Sequence, residues 1–207
     1  MTSPKGQTRI QAKNRAVIRD AALEVFSTYG FRGSTLDQIA SQAGLSKPNL
    51  LYYFPSKDAI HAELLANLME SWLDPLKDMD ENGDPLDEIL GYVRRKLQMS
   101  QDFPRESRLW ANEILQGAPR ILSLLQDDLR KLVDSKAQVI ENWAASGRIA
   151  KVDAHHLLFS IWSLTQHYAD FDTQVTAVLG TKSDTVFEDA ERFLTLLYTN
   201  LLTPTGV

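Results

Sequence analysis

The stretch Ser34-Thr-Leu-Asp-Gln-Ile-Ala-Ser-Gln-Ala-Gly44-Leu-Ser-Lys47-Pro-Asn-Leu-Leu-Tyr-Tyr-Phe54 contains two short helical patterns joined by Ala43-Gly44-Leu45-Ser46. Ser34 and Asp37 have the spacing of a capping box, in which a hydroxyl and a carboxylate satisfy the orphan amides that open a helix. Leu36, Ile39, Ala40 and Ala43 give that helix one apolar face. Gly44 ends it, since a reversal of the chain there calls for a left-handed residue. Ser46 caps the next helix, and Pro48 is tolerated in its first turn, where no amide partner is lost. Leu36, Ile39, Leu50 and Phe54 can then hold the two helices at a fixed angle. Paired helices across a glycine-containing turn make a helix-turn-helix.

The outward chemistry of the second of these helices separates it from an ordinary helical hairpin. Lys47, Asn49, Tyr52 and Tyr53 leave too little apolar surface for both faces to be core, and Pro48 between them is a further DNA-contact candidate. A short helix of this kind enters the major groove by its N-terminal end, where Lys47 and Asn49 would meet base edges. Lys57, at the start of the following helix, and Thr35, at the start of the preceding one, lie where backbone amides already favour a phosphate. The charge distribution agrees. The chain of 207 residues carries −5 overall, but residues 1–60 hold eight basic and four acidic side chains, a local +4, and the rest carries −9. Such asymmetry points to one end meeting a polyanion.

Working outward, residues 1–12 are polar and read as a flexible basic arm, and 13–56 as the DNA-binding domain. Ile18, Ala21, Ala22, Val25, Phe26 and Tyr29 form the apolar stripe of a first helix. Gly30 ends it, with Phe31 folding back on the last turn. Residues 57–207 read as a second, helical domain. Its helices are expected at about 57–74, stopped by Pro75, then 85–101, 105–116, 119–145, 154–170 and 185–201. No segment alternates with period two between turn dipeptides, so the fold class is all-α.

Composition narrows the function. There is no cysteine, hence no disulfide framework or thiol nucleophile. No apolar run reaches a membrane span and the N-terminus lacks a signal-peptide core, so a cytoplasmic protein is expected. No nucleophile elbow, His-Glu-x-x-His or phosphate-cradling glycine loop is present, and no catalytic residue, metal or cofactor is expected. His155, His156 and His167 lack a carboxylate completing a ligand set, and the mixed-charge runs Glu88 to Lys96 and Asp127 to Lys136 read as solvated helix faces. Two rivals stay open, a helical enzyme without a motif and a protein-docking module. The second leaves the polar recognition helix unused.

The segments Phe26-Ser-Thr-Tyr-Gly-Phe31, Ser34-Thr-Leu-Asp-Gln-Ile-Ala40, Ala43-Gly-Leu-Ser-Lys47 and Leu50-Leu-Tyr-Tyr-Phe-Pro-Ser-Lys57 resemble the signature of tetracycline-repressor-type regulators. That resemblance implies DNA contacts from Thr35, Lys47, Asn49, Tyr53 and Lys57, and a larger effector domain that dimerises through its last two long helices. It also implies binding of operator DNA as a homodimer. Leu51 departs from the pattern, which more often has Tyr there. Further on, Trp72-Leu-Asp-Pro-Leu-Lys77, Ser107-Arg-Leu109 with Glu113, Gly117-Ala-Pro119 and Ile161-Trp-Ser-Leu-Thr-Gln-His-Tyr-Ala-Asp-Phe171 look like the branch that regulates pyrimidine utilisation and answers to uracil and thymine. The resemblance makes Trp72 and Trp162 pocket candidates. Gln166 and Thr165 share a helix face with Trp162, and Gln166 matches the amide edge of a pyrimidine. Arg108 and Glu113 are further polar candidates.

Overall fold

The computed structural model describes residues 9–180 and 185–204, and all of its regular structure there is helical. The chain forms α1 (Arg9–Gly33), α2 (Leu36–Gln42), α3 (Lys47–Tyr53), α4 (Lys57–Lys77), α5 (Pro85–Asp102) and α6 (Pro104–Leu115). A short α7 (Leu122–Leu124) leads through a π-helical turn, Leu125–Leu129, into α8 (Arg130–Ala145). α9 (Ala154–Asp170), α10 (Asp172–Leu179) and α11 (Val186–Leu202) follow. Two compact units result. One comprises the residues up to Met69 with Arg108–Ile121, the other Glu70–Ser107 with Leu122 onward.

In the first unit α1 buries Ile18, Ala21, Ala22, Val25 and Phe26 as its stripe requires, while Tyr29, expected on the same face, is exposed. Residues 9–12 belong to α1 rather than to an arm, and residues 1–8 of the expected arm lie outside the described residues. Gly30 has φ 65°, a left-handed kink, after which one more turn runs to Gly33. The kink brings Phe31 back onto Phe26, ring centroids 5.9 Å apart.

The cap of α2 is displaced by one residue from the expected one. Thr35, not Ser34, accepts from the Gln38 amide, and the Gln38 side chain returns to the Thr35 amide. Ser34 is buried instead and donates to Val25 O at 3.2 Å and Gly30 O at 2.6 Å, satisfying carbonyls freed by the kink. Ser46 caps α3 by accepting from Asn49 N, and Gly44 takes φ 66° in the turn. Leu50 and Phe54 close the small core.

The first unit extends past the boundary expected at residue 57 to take in the first part of α4 and the segment Arg108–Ile121, with His61 of α4 and Arg120 after α6 set against aromatic rings of α1. Gly117 and Ala118, both at positive φ, curl the chain after α6. Arg120 N then donates to Glu113 Oε1 at 2.8 Å, and Arg120 Nη1 to Glu113 Oε2 at 3.0 Å. The Arg120 guanidinium lies 3.4 Å over the Phe31 ring. His61 of α4 packs edge-on against Phe26 and Phe31.

The second unit is a helical bundle around α5, α9 and α11. Its core includes Leu76, Ile89, Val93, Leu97, Ile140, Leu158 and Leu194, with Trp143 donating to Glu81 O at 2.9 Å. Three expectations are corrected here. Pro75 does not stop α4, which continues to Lys77 with Asp78 N donating to Asp74 O. The helix expected from residue 119 begins at Leu122 and passes through the π-helical turn. α10, which has no buried residue, was not expected.

Candidate nucleic-acid interface and effector face

α2 and α3 present the expected DNA-facing residues largely to solvent. Thr35, Lys47, Pro48, Asn49 and Tyr52 are exposed, Tyr52 to 71%. Several of their polar atoms already have protein partners. Lys47 Nζ pairs with Asp37 Oδ2 at 2.9 Å, and the Thr35 hydroxyl both donates to and accepts from Gln38. The Tyr53 hydroxyl accepts from Asn14 Nδ2 at 2.7 Å, which ties α3 to α1. Lys57 differs most from a free phosphate ligand. Its ammonium donates to Phe31 O at 2.7 Å and Ser34 O at 2.6 Å and lies over the Phe31 ring. Those bonds fasten the α1–α2 turn. Arg15, not singled out by sequence, reaches Tyr53 O at 2.8 Å, pairs with Glu63 and stacks on Phe54. It braces the far end of α3.

The expected effector residues divide between the units. Arg108 and Glu113 belong to the first, and the Glu113 carboxylate is occupied by Arg120. Trp72, Trp162, Thr165 and Gln166 belong to the second, where α9 packs along α5. Trp162 Nε1 donates to the Tyr92 hydroxyl at 2.6 Å. Thr165 is fully buried and returns its hydroxyl to Ile161 O at 2.7 Å, so it is a packed helix residue. Gln166 is half-buried, one helical turn from both Trp162 and Asp170. The Lys96 ammonium sits 4.2 Å over the Trp72 ring, and Ser107 donates to Asp170 Oδ1 at 2.5 Å.

α5 therefore faces α9 with two side chains that the sequence reading passed over. Tyr92 and Lys96 are one turn apart on the buried face of α5. The run Glu88 to Lys96 is thus not a solvated face throughout, since Lys96 is only 4% exposed whereas Arg94 and Arg95 are outside. Burial lowers the Lys96 pKa to about 8, against the opposing pull of Asp170. Burial also pushes the Tyr92 hydroxyl well above its usual range. The Glu88–Lys96 pattern did carry a signal, an aromatic and a lysine at i and i+4, but two arginines beside it hide the face.

The dimerisation surface expected on α9 and α11 also divides. Leu157, Leu158, Ile161 and Leu194 are spent on the unit's own core. Phe193, Leu197 and Leu201 are exposed, joined by Phe159 and Leu196. Among the described residues no cluster of His, Asp and Glu is disposed to hold a metal ion, and no helix is long and apolar enough to cross a membrane.

Residues 18–64 match the family model described as bacterial regulatory proteins, tetR family, and residues 65–205 match that of the YcdC-like protein, C-terminal region. The chain is 48% identical over 187 residues to the HTH-type transcriptional regulator RutR of Escherichia coli K12, covering 90% of this chain and 88% of that one. Among solved structures it resembles a bacterial regulatory protein in the tetR family from Rhodococcus RHA1, with TM-score 0.75 and 19% identity, covering 94% and 99% of the two chains. A transcriptional regulator from Streptomyces coelicolor gives TM-score 0.73 at 22% identity, covering 93% and 99%.

Proposed function

Since the chain belongs to the tetR family of bacterial regulatory proteins, ligand-responsive DNA-binding transcription regulators, we propose that its effector is a pyrimidine base, uracil or thymine, whose binding releases a near-palindromic operator held by a homodimer. The observation that carries the effector assignment is the buried face between α5 and α9. Trp72 and Trp162 offer flat apolar surface, while Gln166 offers a carbonyl and an amino group one turn from Trp162. A planar imide needs that combination, stacking surface together with donors and acceptors for its edge.

The DNA-binding part of the proposal rests on α3 and the caps around it. Lys47 and Asn49, in its first turn, read bases in the major groove. Thr35, Pro48, Tyr52, Tyr53 and Lys57 position the helix against phosphates and sugars. One recognition helix per chain calls for two chains on a site with half-sites a multiple of ~34–36 Å apart. The exposed apolar residues of α11 supply the surface on which such a pair would meet. The regulator works in the cytoplasm, where its operator and a free base are both present.

Ligand and operator oppose each other when each favours a different arrangement of the same molecule. A coupling of about 1–3 kcal/mol, or 5- to 150-fold in affinity, is the usual size. α4 starts three residues after α3 and carries Trp72, so an effector that engages Trp72 acts on the helix attached to the reading head.

Retardation of operator DNA with and without uracil and thymine tests the whole reading, with Trp162→Ala and Gln166→Leu beside wild type. Wild type should release DNA on adding either base, and both variants should hold DNA at base concentrations that empty wild type. Release by neither base refutes the pyrimidine assignment. Leu197→Asp tests the dimer, which should fall to monomer in sedimentation and lose operator binding.

A further inference from the structure

α3 turns Leu50 fully into the small core of the first unit, so the arc on its far side is what a DNA groove would meet. That arc carries Pro48, Asn49, Leu51 and Tyr52, all exposed, with Lys47 at its edge. Much of its polar chemistry is already held within the protein. Lys47 Nζ pairs with Asp37, the Tyr52 hydroxyl accepts from Gln11 Nε2 at 3.3 Å, and the Tyr52 ring stands edge-on against Tyr53. Pro48 has no amide to donate. Leu51 differs from all of these. It is 39% exposed, follows Lys47 by one turn on the same side of the helix, and offers only apolar surface. A lone exposed leucine elsewhere on a protein calls for no explanation. This one lies on the helix that reads bases, where the chain departs from the tetR-type pattern, which more often has Tyr.

We propose that Leu51 reads the methyl group of a thymine in each half-site of the operator, and so fixes a T·A pair at that position. This rests on the DNA-reading role of α3 proposed above. In the major groove every base pair shows hydrogen-bonding groups, and the C5 methyl of thymine is the apolar group among them. A leucine set against the acceptors of guanine or the amino group of cytosine strips water from them and gives no bond in return. Set against a methyl group, it removes apolar surface from water on both sides of the contact. Lys47 and Asn49 recognise bases by donating or accepting hydrogen bonds. Leu51 adds to them a criterion of another kind, met by thymine alone among the four bases.

Selection of duplexes from random-sequence DNA by the full-length protein without ligand supplies the probe. Gel retardation at fixed salt then compares wild type with Leu51→Ala. Wild type should select a thymine at one symmetric position per half-site, and Leu51→Ala should lose that preference while keeping the rest of the site. Deoxyuridine in place of this thymine removes the methyl group and nothing else. Wild type should then bind about 4-fold more weakly for one half-site changed and about 15-fold for both, the worth of one buried carbon group in each. Leu51→Ala should bind the thymine and deoxyuridine duplexes equally. Deoxyuridine at other thymines should affect the two proteins alike. If Leu51→Ala does not fold, Leu51→Gln carries the same comparison. A selected site without such a thymine, no loss in wild type, or an equal loss in both proteins overturns the role of Leu51. Failure of wild type to select any sequence overturns the reading role of α3, and this inference with it.

Discussion

Among the described residues each compact unit buries one base, His61 in the first and Lys96 in the second, and the two meet the same solvation penalty differently. His61 is 2% exposed, its Nδ1 has no hydrogen-bond partner, and burial with the nearby Arg120 charge lowers its pKa to about 4. At neutral pH it is an uncharged ring wedged between Phe26 and Phe31. Lys96 starts from a higher intrinsic pKa, and a drop to about 8 still leaves it mostly charged. Desolvation thus makes one base a packing piece and leaves the other a cation in an apolar wall. The first stabilises the DNA-reading unit without further partners. The second keeps its charge over the Trp72 ring.

The largest effect that could break this comparison lies at acid pH. The folded-state pKa of His61 is depressed, so the unfolded chain binds the extra proton as pH falls from 6.5 towards 4. Stability should therefore be complete above about pH 7 and drop by about 3 kcal/mol by pH 4 from this group alone. The groups facing it are Glu113, 3.9 Å from Nδ1, with Arg120, Asp58 and Lys57 around it. Denaturant unfolding across that range, on wild type and His61→Met, isolates the contribution. Parallel curves would mean that His61 keeps its charge inside.

A somewhat smaller effect should appear at the alkaline end. Lys96 is also depressed, so the folded protein sheds its proton first and gains stability as pH rises from 7 to 10, by about 2 kcal/mol. The difference between wild type and Lys96→Met in urea melts over that range should shrink as pH rises. A constant difference would place the ammonium in contact with water.

Lys47 sharpens the contrast as a base at the surface. Lys47→Ala should weaken operator binding by about 1–3 kcal/mol if it reads a base, and by less if it touches phosphate only. Its folding stability should match wild type. A loss of folding stability instead would assign the Asp37 pair a structural role. The smallest effect concerns backbone. Gly30→Ala meets nothing within 4 Å, so its cost is the left-handed φ alone, about 1 kcal/mol. Because Gly30 directs Phe31 onto His61, the acid transition should shift with it.

Much of the fold could be read from sequence because its signals are local. Gly30, Gly44 and Ser46 act within a turn of themselves, and Phe31 folds back as its position implied. The α2 cap could not be settled that way. Two capping boxes overlap, Ser34 with Asp37 and Thr35 with Gln38, and the choice falls to carbonyls of α1 that only tertiary structure places over Ser34. Tyr29 lies one turn beyond Phe26, where the kink has already turned the chain, and so leaves the stripe. α10 has no buried face to announce it. At the candidate effector face, the i, i+4 spacing places Trp162 and Gln166 on one helix, α9. Tyr92 and Lys96 come from a different helix, and no spacing within one segment reports a partner across a bundle.

The reading surface of the free protein carries its own counter-ions. Asp37 neutralises Lys47, Gln38 takes up both hydrogen-bonding capacities of Thr35, and two backbone carbonyls hold Lys57. A DNA group that engages Lys47 would replace a carboxylate that was already there, rather than a cloud of dissolved anions. Exchange of this kind is close to balanced in energy. It also leaves fewer ions to be liberated than a count of lysines implies, so operator affinity should decline with added salt less steeply than one unit of slope per basic side chain.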